Sequence, residues 1–506
     1  MVLLFLTLSI GITSAQSGNV ILQLAVPIIG EDFLESSIAT YEAEHPGVQV
    51  QLVTYQGFGS PVQSNDDAEA YQDDLAEYAQ SADVLLVDEN LSPEATRGDY
   101  FLDLSPLTQS DPNYNPNDFR ANLAYAFNWD GGQWAIPVSM DAVMLTYLPA
   151  AFDAAGLTYP NESWTLDDLI FAAETLTQYD STGEVTLPGL WVQGGSGGTM
   201  MQRLMVSLLG QGVYSDATIP SSPDYSNPAL ANLLDQWQAF EDEGLMTIPS
   251  DADSSQIPLR IGNAVFGAQV IQFSEDGELL NSEDFAETYA LLPGGHAGIE
   301  VNAYAISKGT AYPRESYDLI MSLIQDPNAI TLSGGANPAL ASATTMLDSV
   351  LGGGGRAGGR AGGGRGGVVS LTSLLGLSDE MLETALMNGL LPSDMRFASG
   401  INDALDSMSS DGLDAQTALD TAASDLQARL VVADTHAATP ITVNAPEVER
   451  ALAANEIALN FGIVQGIGGF SGPGAEAIWE QLGEEFVAQD AEVGRITVSS
   501  PNIASG

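Results

Sequence analysis

The strongest constraint on the fold is an alternation of short apolar runs with amphipathic segments near the start of the chain. Val20–Val26 and Val48–Thr54 have the pattern of strands, and Asp32–Glu44 between them has the periodicity of a helix. A second helical segment, Gln72–Gln80, precedes a fully apolar strand, Ala82–Val87. Strands that alternate with helices predict an α/β fold, with a mainly parallel sheet covered on both faces.

Ligands of such sheets bind beyond the carboxyl ends of the strands. The predicted strand ends bring Glu31, Tyr55, Asp88 and Glu89 to one edge. These four residues are therefore candidates for ligand binding. Glu31 has a second interpretation, because an acid in the first turn of a helix also stabilises the helix dipole.

Charge restricts the partners of this chain. It has 506 residues, and its 13 Lys and Arg against 67 Asp and Glu give a net charge of −54. A surface of this kind repels nucleic acid and anionic lipid. We interpret the acidity as a solvated surface suited to the medium; attraction of a cationic ligand is the alternative. The chain contains no cysteine, which excludes disulfides, thiolate metal sites and a lipid-modified cysteine. No spacing typical of a metal site is present, and we expect no cofactor.

The N-terminal segment predicts export. Residues 1–15, MVLLFLTLSIGITSA, form an apolar run of signal-peptide length that ends in small residues. The run is too short for a comfortable transmembrane helix. We therefore expect an exported protein in the periplasm or the extracellular space.

A short stretch near residue 137 combines two apolar runs with a proline and an acid between them. A tight turn at Asp130–Gly132 leads into an apolar run, Trp134–Ile136, which Pro137 closes. A second apolar run, Val143–Tyr147, follows after Asp141. The stretch therefore combines two strand-like runs with a proline and an acid at their join.

The C-terminal part divides into four segments. Residues 352–367 are rich in Gly and Arg and predict a flexible loop, whereas residues 378–432 predict closing helices. Residues 436–456 form a linker. In residues 457–506 the strand Ile457–Val464, a helix and the strand Val493–Ser499 repeat the order of the first β-α-β unit. We interpret this segment as the start of a second, incomplete domain; an ordinary C-terminal extension is the alternative.

The order of these motifs resembles the family 1 extracellular solute-binding proteins of ABC importers, which include the maltose-binding proteins. The family's crossing motif G-K-x-Y-A-x-P is similar to Gly132–Pro137, and its A-I-S-K segment is similar to Ala305–Lys308. Further similar segments follow in the family's order: Tyr147–Phe152, Ala155–Leu157, Ser163–Leu169 and Gly262–Phe266. The resemblance covers roughly residues 19–435. Leu148-Pro149 replaces the Asn-Lys pair of the family.

The resemblance implies a two-lobe periplasmic-binding-protein fold of type II, with hinge crossings. Lobe 1 would span about 19–138 and 303–350, and lobe 2 about 142–300 and 370–435. The chain would cross at Pro137–Asp141 and return near Glu300–Tyr304. A ligand in the cleft would close the lobes by a population shift.

The resemblance also implies a sugar site in the cleft. Aromatic rings cover the faces of a sugar, and carboxylates and amides bind its hydroxyl groups. Besides the four strand-end residues, we expect contacts from the loop at residues 195–200 and from six single residues: Trp129, Asp141, Gln269, Phe273, Asn302 and Tyr304.

The function implied is a non-catalytic receptor that hands a sugar or oligosaccharide to a membrane permease. Three alternatives remain. An exported esterase would use the G-x-S-x-G pattern at 194–198, with Ser196 as nucleophile and His296 as base. A glycoside hydrolase would use a pair of acids in the cleft. A binding protein for a cationic solute such as a polyamine would use the excess of acids.

Overall fold

The computed structural model describes most of the chain in fourteen segments: residues 20–27, 30–55, 67–194, 198–217, 219–246, 256–264, 272–273, 279–280, 288–333, 337–343, 379–436, 440–445, 457–462 and 493–499. Predictions for residues 1–15 and 352–367 lie outside these segments. Within them, no helix is both long enough and apolar enough to cross a bilayer. The fold divides into two compact units, residues 1–444 and 445–506.

A mixed sheet runs through the first unit. Its strand order is β2-β1-β3-β14-β6-β10-β9, with β13 and β15 also paired to β6, and β16 to β14. The bounds of these strands are β1 (Val20–Pro27), β2 (Val48–Tyr55), β3 (Val84–Val87), β6 (Ile136–Tyr147), β9 (Leu190–Val192), β10 (Leu259–Asn263), β13 (Thr288–Ala290), β14 (Ala297–Ile306), β15 (Asn337–Pro338) and β16 (Gly389–Leu390). Short pairs form separately: β4 (Asn128–Trp129) with β5 (Gly132–Gln133), β7 (Gln178–Tyr179) with β8 (Val185–Leu187), and β11 (Gln272–Phe273) with β12 (Leu279–Leu280).

Helices cover this sheet. Among the described residues of the first unit they are α1 (Gly30–Glu44), α2 (Ala68–Ser81), α3 (Pro93–Arg97), α4 (Ser105–Ser110), α5 (Pro149–Ala155), α6 (Leu166–Leu176), α7 (Thr199–Leu209), α8 (Pro228–Asp242), α9 (Pro313–Leu323), α10 (Pro327–Leu332), α11 (Asp379–Met387), α12 (Ser399–Asp411) and α13 (Ala415–His436). The predicted helix bounds agree to within a few residues.

The first three strands are parallel, as the β-α-β pattern predicts. β1 pairs with β2 over its whole length and with β3 at Leu24. The other neighbours in the sheet differ from that pattern, because β14 runs antiparallel to both β3 and β6, and β10 runs antiparallel to β6. The predicted crossing at Pro137–Asp141 lies in β6, and the predicted return near Glu300–Tyr304 lies in β14.

The crossing is one continuous strand rather than the two short strands predicted. β6 is twelve residues long and buried throughout. Pro137 has no N–H to donate, and prolines inside sheets are confined to edges and bulges. The pairing of β6 with β14 shifts between Asn302 and Ala303, which places a bulge beside Pro137. The carbonyl of Val138, the extra residue, accepts a hydrogen bond from the N–H of Ala339 at 3.1 Å.

Two hydrophobic cores define the two lobes. The first contains buried side chains of β1, β3, α1, α2, β14, α9 and α10, and the second contains those of α6, α7, α8, β10, α12 and α13. Along the second half of β6 adjacent residues alternate between the cores: Met140, Ala142 and Met144 belong to the first core, and Val143 and Leu145 belong to the second. Leu382 and Leu386 of α11 lie in the first core, although the sequence prediction assigned them to the second lobe, because α11 packs against β14 and β6.

Thr165 is the N-cap of α6. The Thr165 hydroxyl accepts a hydrogen bond from the Asp168 N–H at 3.2 Å, and the Asp168 carboxylate accepts one from the Thr165 N–H at 2.8 Å. These two bonds form a capping box. The hydrogen bond from the Thr165 backbone also lowers the pKa of Asp168.

We expect Thr165→Ala to lower the free energy of unfolding by about 1 kcal/mol, because the first turn of α6 loses the hydroxyl that caps it. Urea unfolding at neutral pH measures the change. The contribution of Asp168 is present above the ordinary pKa of Asp and is lost as the pH falls through its lowered pKa. Thr175→Ala is the control, since Thr175 is exposed in the same helix and lies far from its N-terminus. An equal loss in both variants would contradict the capping role.

The second unit, residues 445–506, contains two described strands. β17 (Ile457–Gly462) and β18 (Val493–Ser499) pair in parallel. Parallel pairing requires a crossover connection, as in the predicted β-α-β unit. The residues between the strands lie outside the described segments, and the interpretation as a second, incomplete domain stays a prediction.

Candidate functional site

The segment after β3 presents two acids at the edge of the sheet. Asp88 accepts a hydrogen bond from the N–H of Asn90 at 2.9 Å, which holds the turn. Glu89 forms an ion pair with Arg203 of α7. Because β3 belongs to the first core and α7 to the second, this ion pair joins the two lobes.

The two crossing strands add a pair of acids next to it. Asp141 of β6 and Glu300 of β14 are directly opposite each other in the antiparallel pairing. The side-chain amide of Asn263, at the end of β10, donates to both carboxylates, at 3.1 Å to Asp141 and 3.0 Å to Glu300. The backbone N–H of Asn263 donates to Gln193 at 2.9 Å. Asn263 thus bridges two like charges that would otherwise repel.

Arg203 connects these acids. Its Nη1 lies 3.9 Å from Oε1 of Glu300, and its side chain is only 4% exposed. The aliphatic stem of Arg203 lies across Gly298, where any Cβ atom would clash with Arg203 Cδ. Among the described residues, the buried Nε of Arg203 has no hydrogen-bond acceptor. The carboxylates of Glu89 and Glu300 therefore hold the guanidinium of Arg203 in place, and the lack of a side chain at Gly298 leaves room for its stem.

Burial raises the pKa values of the two glutamates in this group of residues, which we call the Arg203 cluster (Asp88, Glu89, Asp141, Arg203 and Glu300). Burial raises the pKa of Glu89 to about 7, which Arg203 opposes and the charges of Glu300 and Asp88 reinforce. Burial likewise raises the pKa of Glu300, again against Arg203, and the charge of Asp141 adds to the increase. Loss of hydration therefore outweighs the single ion pair.

A second polar contact between the lobes involves the predicted turn at Asp130. Asp130 and Gly131 both have positive φ, at 50° and 84°, as in a type I′ hairpin between β4 and β5. The Asp130 carboxylate binds Arg97 at 2.8 Å and the N–H of Ser221 at 3.2 Å. Arg97 also donates to the Ser221 carbonyl at 2.6 Å.

A cavity of about 300 Å³ lies between residues 89–94 of the first lobe and α7, α12 and α13. Its polar lining without charge is Asn90, Ser92, Thr199, Gln202, Ser399 and Asn402, and its apolar lining includes Tyr71, Leu91, Trp129, Ile299, Met395 and Phe397. Its charged lining is three acids and three arginines: Glu89, Glu94, Asp403, Arg203, Arg396 and Arg429.

The arginines of the cavity are all engaged. Arg203 pairs with Glu89, and Arg429 lies 3.7 Å from Asp403 and close enough to Glu94 to oppose the pKa increase that burial causes there. Arg396 lies over the ring of Tyr214 at 3.9 Å. The formal charge of the lining is therefore zero, in a chain whose net charge is −54.

Three of the predicted site residues, Asp88, Glu89 and Asp141, come together in the Arg203 cluster. Trp129 lines the cavity although it is only 2% exposed; its Nε1 donates to Thr96 Oγ1 at 2.9 Å. Tyr304 is fully buried in the first core and does not line the cavity. Their roles in ligand binding stay predictions.

The remaining predicted residues lie apart from the cavity or outside the described segments. Tyr55 ends β2, and its half-buried ring contacts Tyr78 edge-on at 6.0 Å. Asn302 donates to Ser139 at 3.5 Å beside the bulge. Glu31 lies in α1 and Phe273 in β11, and only their backbones are described. Gln269 and residues 195–197, which include Ser196, lie outside the described segments, whereas Thr199 of the predicted loop lines the cavity.

The sequence prediction did not include Arg203, Glu300, Asn263 or the cavity arginines. The sequence did contain a signal for Arg203, because this residue is the lone charge in TMMQRLMVSLL, an otherwise largely apolar helix. Charged side chains are seldom buried without a partner. An isolated arginine in such a helix therefore predicts a buried ion pair, but the partner depends on the tertiary fold.

His296, the base in the esterase alternative, lies against Ser207 of α7. Its Nδ1 lies 3.4 Å from Ser207 Oγ, and its backbone N–H lies 3.3 Å from the same hydroxyl. Ser207 is 1% exposed and donates to the Pro293 carbonyl at 2.7 Å. These contacts account for His296 as part of the packing between α7 and the 293–296 turn.

Comparison with known families gives one match. The family model described as bacterial extracellular solute-binding protein matches residues 29–329. The comparison with curated proteins found no match.

Solved structures with the same fold cover most of the chain. A putative oligosaccharide periplasmic-binding protein from Synechococcus sp. has 18% identity and a TM-score of 0.55, covering 82% of this chain and 99% of that one. An ABC substrate-binding protein from Listeria monocytogenes, in complex with cycloalternan, has 13% identity and a TM-score of 0.53 with the same coverage. A cyclic alpha-maltosyl-1,6-maltose binding protein from Arthrobacter globiformis has 16% identity and a TM-score of 0.51, again with 82% and 99% coverage. Likeness at this identity shows the fold, and the predicted two-lobe α/β class is confirmed.

Proposed function

Since the chain belongs to the family of bacterial extracellular solute-binding proteins, we propose that it captures a neutral sugar or oligosaccharide between its lobes and delivers it to the permease of an ABC importer. The predicted family resemblance is confirmed by this membership. A family of extracellular proteins implies export to the periplasm or the cell exterior. The sugar, the permease and the absence of catalysis are parts of the proposal.

The observation that carries the sugar proposal is the charge balance of the cavity. Each of its acids, Glu89, Glu94 and Asp403, has an arginine beside it. A polyamine would have to displace those arginines or remain uncompensated. A neutral ligand has no such cost, so the cavity favours it despite the acidity of the whole chain.

The rest of the lining suits hydroxyl groups. Hydroxyl and amide side chains of Ser92, Thr199, Gln202, Ser399 and Asn402 can both donate and accept. Trp129 and Phe397 supply the apolar surface that the faces of a sugar ring require. The volume of about 300 Å³ is at the lower end of the range for ligand sites. The similar protein from Listeria monocytogenes is in complex with cycloalternan, and the one from Arthrobacter globiformis is a cyclic alpha-maltosyl-1,6-maltose binding protein.

The hydrolase alternatives have weaker support. Asp141 and Glu300 are two carboxylates on facing strands, as a glycosidase needs, but the Asn263 amide binds both of them. The arrangement therefore favours binding over turnover.

A thermal-shift screen tests the proposal. Maltotriose, mannobiose and other neutral saccharides are compared with spermidine and galacturonate at equal concentration. We expect at least one neutral saccharide to raise the melting temperature, because a ligand at about 100 times its Kd adds about 2.7 kcal/mol to the folded state. A shift with spermidine alone would contradict the sugar proposal, and release of reducing sugar by the purified protein would contradict the non-catalytic one.

A matched pair of variants locates the ligand. Thr199→Val removes a hydroxyl group from the cavity lining and keeps its shape, whereas Thr175→Val makes the same change on the exposed face of α6. If Thr199 binds the saccharide, the first variant weakens binding by roughly 2- to 12-fold, the value of one neutral hydrogen bond. Equal affinities in both variants would remove Thr199 from the site.

A further inference from the structure

The Arg203 cluster has more acid than its arginine can balance. The carboxylates of Glu89 and Glu300 share one guanidinium. Those of Asp88 and Asp141 lie close enough to act on these two glutamates. The Glu89 side chain is 21% exposed and that of Glu300 24% exposed, and Asp141 is 4% exposed. Like charges at such short range in a poorly hydrated site cannot all remain ionised without a high cost.

The arrangement depends on the contact between the lobes. Glu89 belongs to the segment after β3, which is built on the first core, and Arg203 belongs to α7, which is built on the second. Asp141 and Glu300 lie on the crossing strands. Separation of the lobes would take Glu89 away from Arg203 and return it to water, whereas Glu300 would stay near Glu89 because β3 and β14 are neighbours in the sheet. The cluster is therefore complete only when the lobes are in contact.

We propose that closure of the two lobes takes up a proton at the Arg203 cluster, so that the cleft closes more readily in acidic than in alkaline surroundings. This regulation rests on the proposed function, because it takes closure as the step that captures the solute. Glu89 is the residue that gains the proton. The groups that face it are Arg203 from α7, Glu300 from β14 and Asp88 from its own segment, with Asp141 of β6 acting through Glu300.

The direction of the pH effect on closure follows from the linkage between proton binding and the conformational equilibrium. In the closed state burial raises the pKa of Glu89 to about 7, whereas an exposed glutamate has a pKa of 4.5. The closed state therefore binds the proton more tightly, and closure is favoured below pH 7. The ratio of closed to open molecules should rise at most tenfold for each unit of pH between about 7 and 4.5. It should be nearly constant above pH 8.

The absence of cysteine allows a direct measurement of closure. Ala43→Cys in α1 and Ala154→Cys in α5 place one spin label on an exposed position of each lobe. Distances between the labels are measured by double electron–electron resonance at pH 8.5, 7 and 5.5, without any solute. We expect the population of short distances to increase as the pH falls.

Three variants identify the proton site. Glu89→Gln cannot ionise, so its distances should change much less with pH than those of the parent protein, and Glu300→Gln should reduce the change in part. Glu77→Gln, the same substitution on the exposed face of α2, should keep the full response. Distances that do not depend on pH, or a full response in Glu89→Gln, would overturn the proposal. Since no sugar is used, failure of the saccharide screen leaves this test intact, and the reverse also holds.

Discussion

Arg203→Met is expected to lower the free energy of unfolding by about 3–5 kcal/mol at pH 8, the cost of leaving buried charges without their partner. Methionine keeps much of the apolar stem but removes the guanidinium, so Glu89 and Glu300 lose their cation. Both carboxylates already have raised pKa values in its presence. The loss should shrink as the pH falls through 7, because the acids can then become neutral.

Guanidinium chloride unfolding at pH 8 and pH 5.5 measures this effect. Arg314→Met is the control, because Arg314 is 51% exposed and pairs with Asp318 only within helix α9, at 3.4 Å. Exposed pairs of this kind contribute at most about 1 kcal/mol. If both variants lose the same free energy, the Arg203 cluster has no special role in stability. The double variant Arg203→Met with Glu89→Gln should recover part of the loss, since one buried charge is removed.

Trp129→Ala is expected to lower the free energy of unfolding by about 3–5 kcal/mol and also to weaken saccharide binding. The stability loss follows from a cavity in the first core, where the ring packs against Phe127 at 6.0 Å. The loss of affinity follows from its position at the wall of the interlobe cavity. Denaturant unfolding and isothermal titration with the best saccharide of the screen measure the two effects.

Trp237→Ala is the matched control for that variant. Trp237 is fully buried in the second core and does not line the cavity, so it should lose similar stability without a change in affinity. Trp129→Phe and Trp237→Phe, which leave smaller cavities, give the same comparison if the alanine variants do not fold. Equal affinities for the two positions would assign Trp129 to packing alone.

The local sequence pattern was sufficient to predict most of the strands and helices of the fold. The apolar runs at Val20–Val26 and Val48–Thr54 are β1 and β2 in the structure, and the predicted helix Asp32–Glu44 lies within α1 (Gly30–Glu44). Hydrophobic periodicity and caps act over a few residues, and these signals are readable in the sequence. The prediction that a strand ends at Pro137 was wrong. A proline usually ends a strand, whereas here a bulge accommodates it within β6.

The candidate site was predicted only in part, because its partners are far apart in sequence. Asp88, Glu89 and Asp141 could be selected from their places at strand ends and at the crossing. Arg203 and Asn263 could not, since each meets an acid more than a hundred positions away.

The sequence by itself determined the α/β class, the family and the excess of negative charge. Tertiary structure alone decided which acids are buried together and which cation they share. It brought three arginines against three acids to make a neutral cavity in an acidic protein. The physical reason is that periodicity reports local burial, whereas the pairing of charges depends on which lobes and helices meet, and that is fixed only when the whole chain has folded.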